Sequence, residues 1–374
     1  MSDDDHEEVP RIDAAALSYE AFCELYMAPN RPVLIRNIGL DWPIYHAWRR
    51  SEHNDVNHAY LRATFGHATV PVVGYGRLDA YGEEDRCTMP LAMYLTLLES
   101  GEAQAAQKYM KDWHFTRDFP HGPVYTTPEY FQDDWLNWWW DQQADIHDDY
   151  RFVYLGPANS TTPLHHDVLL SYSWSINICG KKEWLMFPPT ETWKLRDRSG
   201  RYTAPSANTV DATAFPNVTS ARYIKVVQEV GEALFVPSGW YHQVRNLEGT
   251  TLSINHNWFN AYSLERMWAF MQAELHAVEQ EIDHCRETFD SDDDWHHHCQ
   301  VLLRANIGMH FNEFAALLQA RKDWYLTTVS PPTSDARPSP TSIVNTTFSL
   351  QQIDKVLGAM RAHSSQGGSA PVQT

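Results

Sequence analysis

Thr161–Pro189 reads TTPLHHDVLLSYSWSINICGKKEWLMFPP, and the fold of the 374-residue chain is read outward from it. Ser173–Cys179 and Lys182–Phe187 are two short runs of strand-forming residues separated by Gly180. Leu164–Val168 is a third such run. The same punctuation continues on both sides, with Arg151–Gly156 upstream and Tyr223–Val227, Ala233–Pro237, His242–Asn246 and Leu252–His256 downstream. Many short strands set between Gly and Pro predict a mainly β core, a sandwich or barrel.

The flanks read differently. Tyr19–Tyr26 and Trp42–Phe65 are expected to be helical, Pro32–Asn37 and Val70–Gly74 extended. Helices are also expected from Pro90 to Leu98 and over Asp133–Asp141. After Asn260 the period becomes helical. Leu264, Met267, Trp268, Met271, Leu275, Val278 and Ile282 form one stripe behind a candidate cap, Ser263. Trp295–Ile307 and Phe311–Trp324 continue the pattern. The expected organisation is a mobile acidic tail (1–16), an N-terminal α/β region packing on the core (17–130) and the β core (131–262). C-terminal helices (263–328), a Pro/Ser/Thr-rich linker (329–348) and a short helix with a mobile tail (349–374) follow.

Composition bounds the function. Apolar residues make up 43%, aromatics 13% and charged residues 21%, which excludes disorder over most of the length. The net charge of −19 repels phosphate backbones and anionic membranes, so neither nucleic acid nor membrane is an expected partner. A basic protein partner fits that field better. Five cysteines without framework spacing, no secretory leader and no bilayer-length apolar run point to a reduced, cytoplasmic setting.

The chemistry sits in the opening stretch. His165 and Asp167 stand at i and i+2, which on a strand places both side chains on one face. His166, between them, then points away. A second imidazole on a neighbouring strand completes two His and one carboxylate, the facial triad of non-haem Fe(II) oxygenases. His242, in Val236-Pro-Ser-Gly-Trp-Tyr-His, starts a strand 75 residues after Asp167 and is the natural third ligand. His53–Asp55 and His147–Asp149 share the spacing but lack this context. Lys182 lies fifteen residues after Asp167. An ammonium inside a barrel needs an anion, and the far carboxylate of 2-oxoglutarate is one. The Thr162 hydroxyl is placed to donate to the same carboxylate. One amide of Asn255 or Asn257 is placed to reach the ligand or co-substrate. Asp292–Cys299 (DDDWHHHC) has the letters of a zinc site without four well-spaced ligands, and reads as a polar helix opening.

Thr162-Pro-x-His-x-Asp167, Gly180-x-Lys182 and Pro237-x-Gly-Trp-x-His242 together resemble the JmjC family of Fe(II)- and 2-oxoglutarate-dependent oxygenases. Ser171–Trp184, Asn246-Leu-Glu, Ser253-Ile-Asn-His-Asn-Trp, Tyr109-Met-Lys-Asp-Trp-His and Tyr150–Pro157 carry the likeness further, over about Arg31–Met271. The resemblance implies a double-stranded β-helix, a cupin-like jelly-roll with helical extensions. It implies iron on His165, Asp167 and His242, and 2-oxoglutarate on Lys182 and Thr162. A further contact falls among Tyr154, Tyr172, Trp174 and Asn177. It implies O2-dependent oxidation of a C–H bond coupled to decarboxylation of the keto acid.

Within the family, the likeness implies lysyl hydroxylation of a translation termination (release) factor. Asp112 is a candidate acid beside the substrate lysine, and a homodimer through the C-terminal helices is expected. The alternatives are a methyl-lysine demethylase and a non-catalytic cupin-like binding module.

Overall fold

The computed structural model describes residues 8–50, 54–78, 84–120, 125–143, 149–328 and 346–365. Its strands in chain order are β1 (Arg11–Asp13), β2 (Val33–Arg36), β3 (Arg49–Arg50), β4 (Asp55–Val56), β5 (Thr69–Leu78), β6 (Glu84–Pro90), β7 (Lys108–Trp113) and β8 (Arg151–Pro157). They continue as β9 (Thr161–His165), β10 (Tyr172–Cys179), β11 (Lys182–Phe187), β12 (Ile224–Gln228), β13 (Glu232–Val236), β14 (Tyr241–Asn246) and β15 (Thr250–Trp258). The described residues divide into two compact units. The first takes those within 1–132, 143–167 and 172–257, the second those within 133–142, 168–171 and 258–374.

The first unit is the jelly-roll. A nine-stranded sheet in the order β1-β2-β13-β10-β15-β8-β7-β5-β6 faces a four-stranded sheet, β12-β11-β14-β9. Register fixes which residues look inward. Lys182, Trp184 and Met186 alternate along β11 opposite Asn246, Val244 and His242 of β14. In the large sheet Ser173 and Ser175 of β10 oppose Val236 and Leu234 of β13. Trp184, Met186, Val244, Leu234 and Val236 share one buried cluster, which identifies these faces as the interior. The outer face of the small sheet, with Leu164, Leu185, Phe187 and Tyr241, is covered by Leu195, Ala204, Val218 and Ala221 of the β11–β12 connection.

Several expectations are corrected here. The N-terminal region is not a layer packed on a finished core, because β1, β2, β5, β6 and β7 extend the same sheet. Residues 11–13 of the expected tail pair in parallel with β2 and are followed by a turn at Ala14–Ala16. The helix expected over Trp42–Phe65 is interrupted. Pro43–Ala47 and His58–Phe65 are helical, and β3 pairs with β4 between them. Strand β7 was hidden by its mixed polarity. The expected linker lies mostly outside the described residues, and the helix after it begins at Thr346 rather than Ser349.

The second unit is helical: Trp135–Asp141, Leu264–Ile282, Asp292–Ile307, Phe311–Thr328 and Thr346–Ser365. The Trp-rich helix belongs with the C-terminal helices rather than with the β core. The expected stripe is buried from Leu264 to Val278. Ser263 does not cap it through its side chain, since its hydroxyl donates back to the Asn260 carbonyl. Arg321 is buried against Asp133 at 3.2 Å, with its guanidinium over Trp135, Trp138 and Trp324. Among the described residues no helix is long and apolar enough to cross a membrane.

Candidate metal centre

His165 and His242 face each other across the β9–β14 pair. The pair carries a bulge, because His242 and Val244 are two residues apart while their partners His165 and Thr162 are three apart. The extra residue turns Thr162 and His165 to the same, inner face, which simple alternation forbids. Strand β9 ends at His165, so Asp167 is not on it. Asp167 lies in the loop that follows, which continues through Leu169 and Leu170 at positive φ. One ligand atom from each of His165, Asp167 and His242 lies within 4.8 Å of the others.

Each group is held for coordination. The Nδ1 of His165 is 2.8 Å from the Pro163 carbonyl, and that of His242 is 3.1 Å from the Trp240 carbonyl. A carbonyl can only accept, so both rings carry their proton on Nδ1 and present Nε2 as a lone pair. Burial, then the neighbouring His242, push the His165 pKa down and keep the ring neutral. Ser173 donates to Asp167 Oδ2 at 2.7 Å, leaving Oδ1 for a cation. His166 is turned aside, its Nδ1 on the Asp167 carbonyl and its ring against Tyr241.

Lys182 crosses the interior from the small sheet. It is 1% exposed and donates to Ser253 Oγ on β15 at 2.6 Å. Its Nζ sits 5.4 Å from the Tyr154 ring centre and 5.7 Å from that of Trp184. Among the described residues no carboxylate pairs with it. Burial lowers its pKa from 10.5 to about 7. Such a lysine marks a site for an anion. Ser175 Oγ and Asn177 Oδ1 are also buried with no partner among the described residues. Two imidazoles, one carboxylate and a buried ammonium thus fit Fe(II) and a dicarboxylic keto acid.

The remaining candidates separate. Tyr154 lines this interior, opposite Ser253 on β15. Asn177 is on the inner face of β10, and its amide nitrogen donates to the Gln228 carbonyl. Alternation from Ser253 puts Asn257 on the inner side of β15. Tyr172 and Trp174 are corrected, since they occupy the opposite face of β10. Trp174 stacks on Phe131 at 5.6 Å, and Tyr172 packs on Phe235. Asp112 sits at a β7 bulge with φ of 61°. It accepts from the Tyr154 hydroxyl at 2.8 Å and pairs with Arg86 at 3.1 Å. Although burial raises its pKa most, Lys111, Tyr154 and Arg86 together leave it lowered. Ser173, Ser175 and Ser253 were missed. Their signal was the polar alternation in Ser171-Tyr-Ser-Trp-Ser and the serine opposite Tyr154.

Comparison with known proteins agrees with this geometry. The family described as a cupin-like domain matches residues 19–264. The chain is 42% identical over 317 residues to the Homo sapiens 2-oxoglutarate and iron-dependent oxygenase JMJD4, covering 82% of this chain and 74% of that one. The Danio rerio protein of that name is 39% identical, covering 81% and 72%. The Arabidopsis thaliana arginine-specific demethylase JMJ20 is 37% identical, covering 82% and 68%. The chain belongs to the cupin-like JmjC family of 2-oxoglutarate and iron-dependent oxygenases.

Proposed function

We propose that this chain is a protein hydroxylase that holds Fe(II) on His165, Asp167 and His242 and 2-oxoglutarate on Lys182, and that it oxidises a lysine side chain of a translation termination (release) factor. The observation that carries the oxygenase reading is the buried Lys182 ammonium, which has no acid partner among the described residues and lies in the same interior as the triad. Iron and O2, when bound, supply the oxidising power for the C–H bond. The chain's own residues do the rest. Two backbone carbonyls hold the imidazole protons on Nδ1, Ser173 orients the Asp167 carboxylate, and Lys182 with Ser253 binds the far carboxylate. Thr162 shares the inner face through the bulge and adds a hydroxyl. The apolar cluster around Trp184 keeps one end of the interior dry.

A lysine target is supported by the net charge of −19, which attracts a basic protein. Five free cysteines support a cytoplasmic site of action. A homodimer through the C-terminal helices belongs to the same reading, and light scattering of the purified chain tests it. Removal of an N-methyl group is the second reading, favoured by the similarity to a protein named as an arginine-specific demethylase. Mass spectrometry of candidate peptides after incubation with Fe(II), 2-oxoglutarate and O2 separates them. Hydroxylation adds one oxygen to an unmethylated lysine. Demethylation removes one methylene equivalent and releases formaldehyde. Neither product on any lysine or methylated residue of a release factor would count against both.

A further inference from the structure

The β11–β12 connection carries a small hairpin that the chemistry above does not use. Arg196 and Thr203 form its bridge, and Asp197 N donates to the Tyr202 carbonyl at 2.8 Å. Inside the turn, Asp197 accepts from the Ser199 hydroxyl and from the backbone N–H groups of Arg201 and Tyr202. Gly200 takes φ of 76° with open space around its Cα, so glycine is needed there for the backbone and not for room. The turn is therefore rigid in spite of being exposed. What it presents is unusual for this chain: Arg198, Arg201 and Tyr202 all face solvent, the last at 67% exposure. Arg198 has no ion-pair partner among the described residues. Nearby in sequence, Trp193 is 62% exposed with the Lys194 ammonium over its ring.

The hairpin is fastened to the outer face of the strand that carries His242. Arg196 donates to the Tyr241 hydroxyl at 3.0 Å, and Thr203 Oγ1 lies 3.5 Å from the same oxygen. Tyr241 precedes the ligand His242, and its ring packs on His166 at 5.0 Å. A basic, aromatic and stiff element thus stands next to the ligand-bearing strand of a chain whose net charge is −19.

We propose that this hairpin docks an acidic segment of the protein whose side chain is oxidised, anchoring the substrate on the outer side of the strand that carries His242. This rests on the reading of the chain as a protein oxygenase. The charge argument selects the occupant. Screening confines the hairpin's field to about 8 Å at physiological salt, so it can attract only a short run of negative charge. A nucleic acid, carrying a charge at every nucleotide, would meet the acidic remainder of the surface as well. Exposed Tyr and Trp with Arg are the residue types from which protein contacts draw their binding energy.

The test uses the full chain and a fluorescein-labelled deca-glutamate peptide, with a decauridylate RNA as the competing probe. Anisotropy at low salt is expected to show peptide binding that weakens as salt rises. Arg198→Glu with Arg201→Glu should reduce it about tenfold or more, and Arg198→Lys with Arg201→Lys should restore most of it. Unchanged binding in the Glu variant, no binding by the wild type, or tighter binding of the RNA overturns the proposal. Consumption of 2-oxoglutarate by the wild-type chain is followed separately. Turnover without peptide binding removes the hairpin and leaves the oxygenase. Peptide binding without turnover removes the oxygenase and leaves only an acid-binding hairpin.

Discussion

Replacing Lys182 by Met should stabilise the empty protein and cripple co-substrate binding at once. The side chain is fully enclosed, and its pKa falls from 10.5 to about 7 because burial disfavours the charge. At about 1.36 kcal/mol per pH unit, that drop corresponds to about 5 kcal/mol of penalty on the charged form. The sign follows from proton counting. Between pH 7 and 10.5 the unfolded chain binds the extra proton, so wild-type stability rises with pH across that window and is flat below it. At pH 7 about 4 kcal/mol of the penalty is present. Methionine removes it while filling similar volume, and the Ser253 hydroxyl keeps the Asn255 amide as a donor at 3.0 Å, so losing its bond to Lys182 costs only about 1 kcal/mol. The net gain is about 3 kcal/mol, seen as a higher denaturant midpoint for the substrate-free protein. The same change deletes the ammonium that meets the keto acid's carboxylate. Breaking a buried charge pair costs about 3–5 kcal/mol, so the KM for 2-oxoglutarate should rise by roughly two to four orders of magnitude. Chemical denaturation at pH 7 and 9 together with succinate assays reads both. A destabilised variant with an unchanged KM for 2-oxoglutarate would refute the reasoning.

Other outcomes follow from the same geometry. His165→Ala and Asp167→Ala should each abolish turnover and metal retention, checked by metal analysis of protein dialysed after loading with Fe(II) under nitrogen. Ser173→Ala, which frees one oxygen of Asp167, should weaken metal affinity about tenfold to a hundredfold while leaving the fold intact, measured by competition with a chelating dye. Above pH 7 the empty site must take up a proton to receive the co-substrate, so 2-oxoglutarate affinity should fall by up to about tenfold per pH unit, read by titration under nitrogen. In the helical unit, Arg321→Met leaves Asp133 buried without its partner and should cost about 3–5 kcal/mol in urea unfolding.

The strands of the jelly-roll were legible because each is a short run closed by Gly or Pro. Lys182 was legible because a lysine within an apolar strand needs an anion. Counting residues failed where the backbone departs from alternation. The Asp167 carboxylate reaches its partners from a loop, and Thr162 shares a face with His165 only through a bulge. Tyr172 and Trp174 were drawn into the candidate set, yet the large apolar side of β10 packs outward on Phe131 and Phe235. The small polar side faces in, because this interior is built to receive charge. Strand β7 escaped notice because Lys111 and Asp112 interrupt its apolar pattern, and its bulge is what aims Asp112 at Tyr154. The helix expected over Trp42–Phe65 failed because β3 and β4 pair in the middle of it, a tertiary choice that local propensity does not record.

The most direct measurement is a crystal structure of the protein loaded with Mn(II), as a redox-silent stand-in for Fe(II), and 2-oxoglutarate, with the metal located by its anomalous scattering. The account predicts one strong peak bonded to His165 Nε2, Asp167 Oδ1 and His242 Nε2, with the far carboxylate of the keto acid within hydrogen-bond distance of Lys182 Nζ. Metal bound elsewhere, or a co-substrate that leaves Lys182 without an anion, would contradict it.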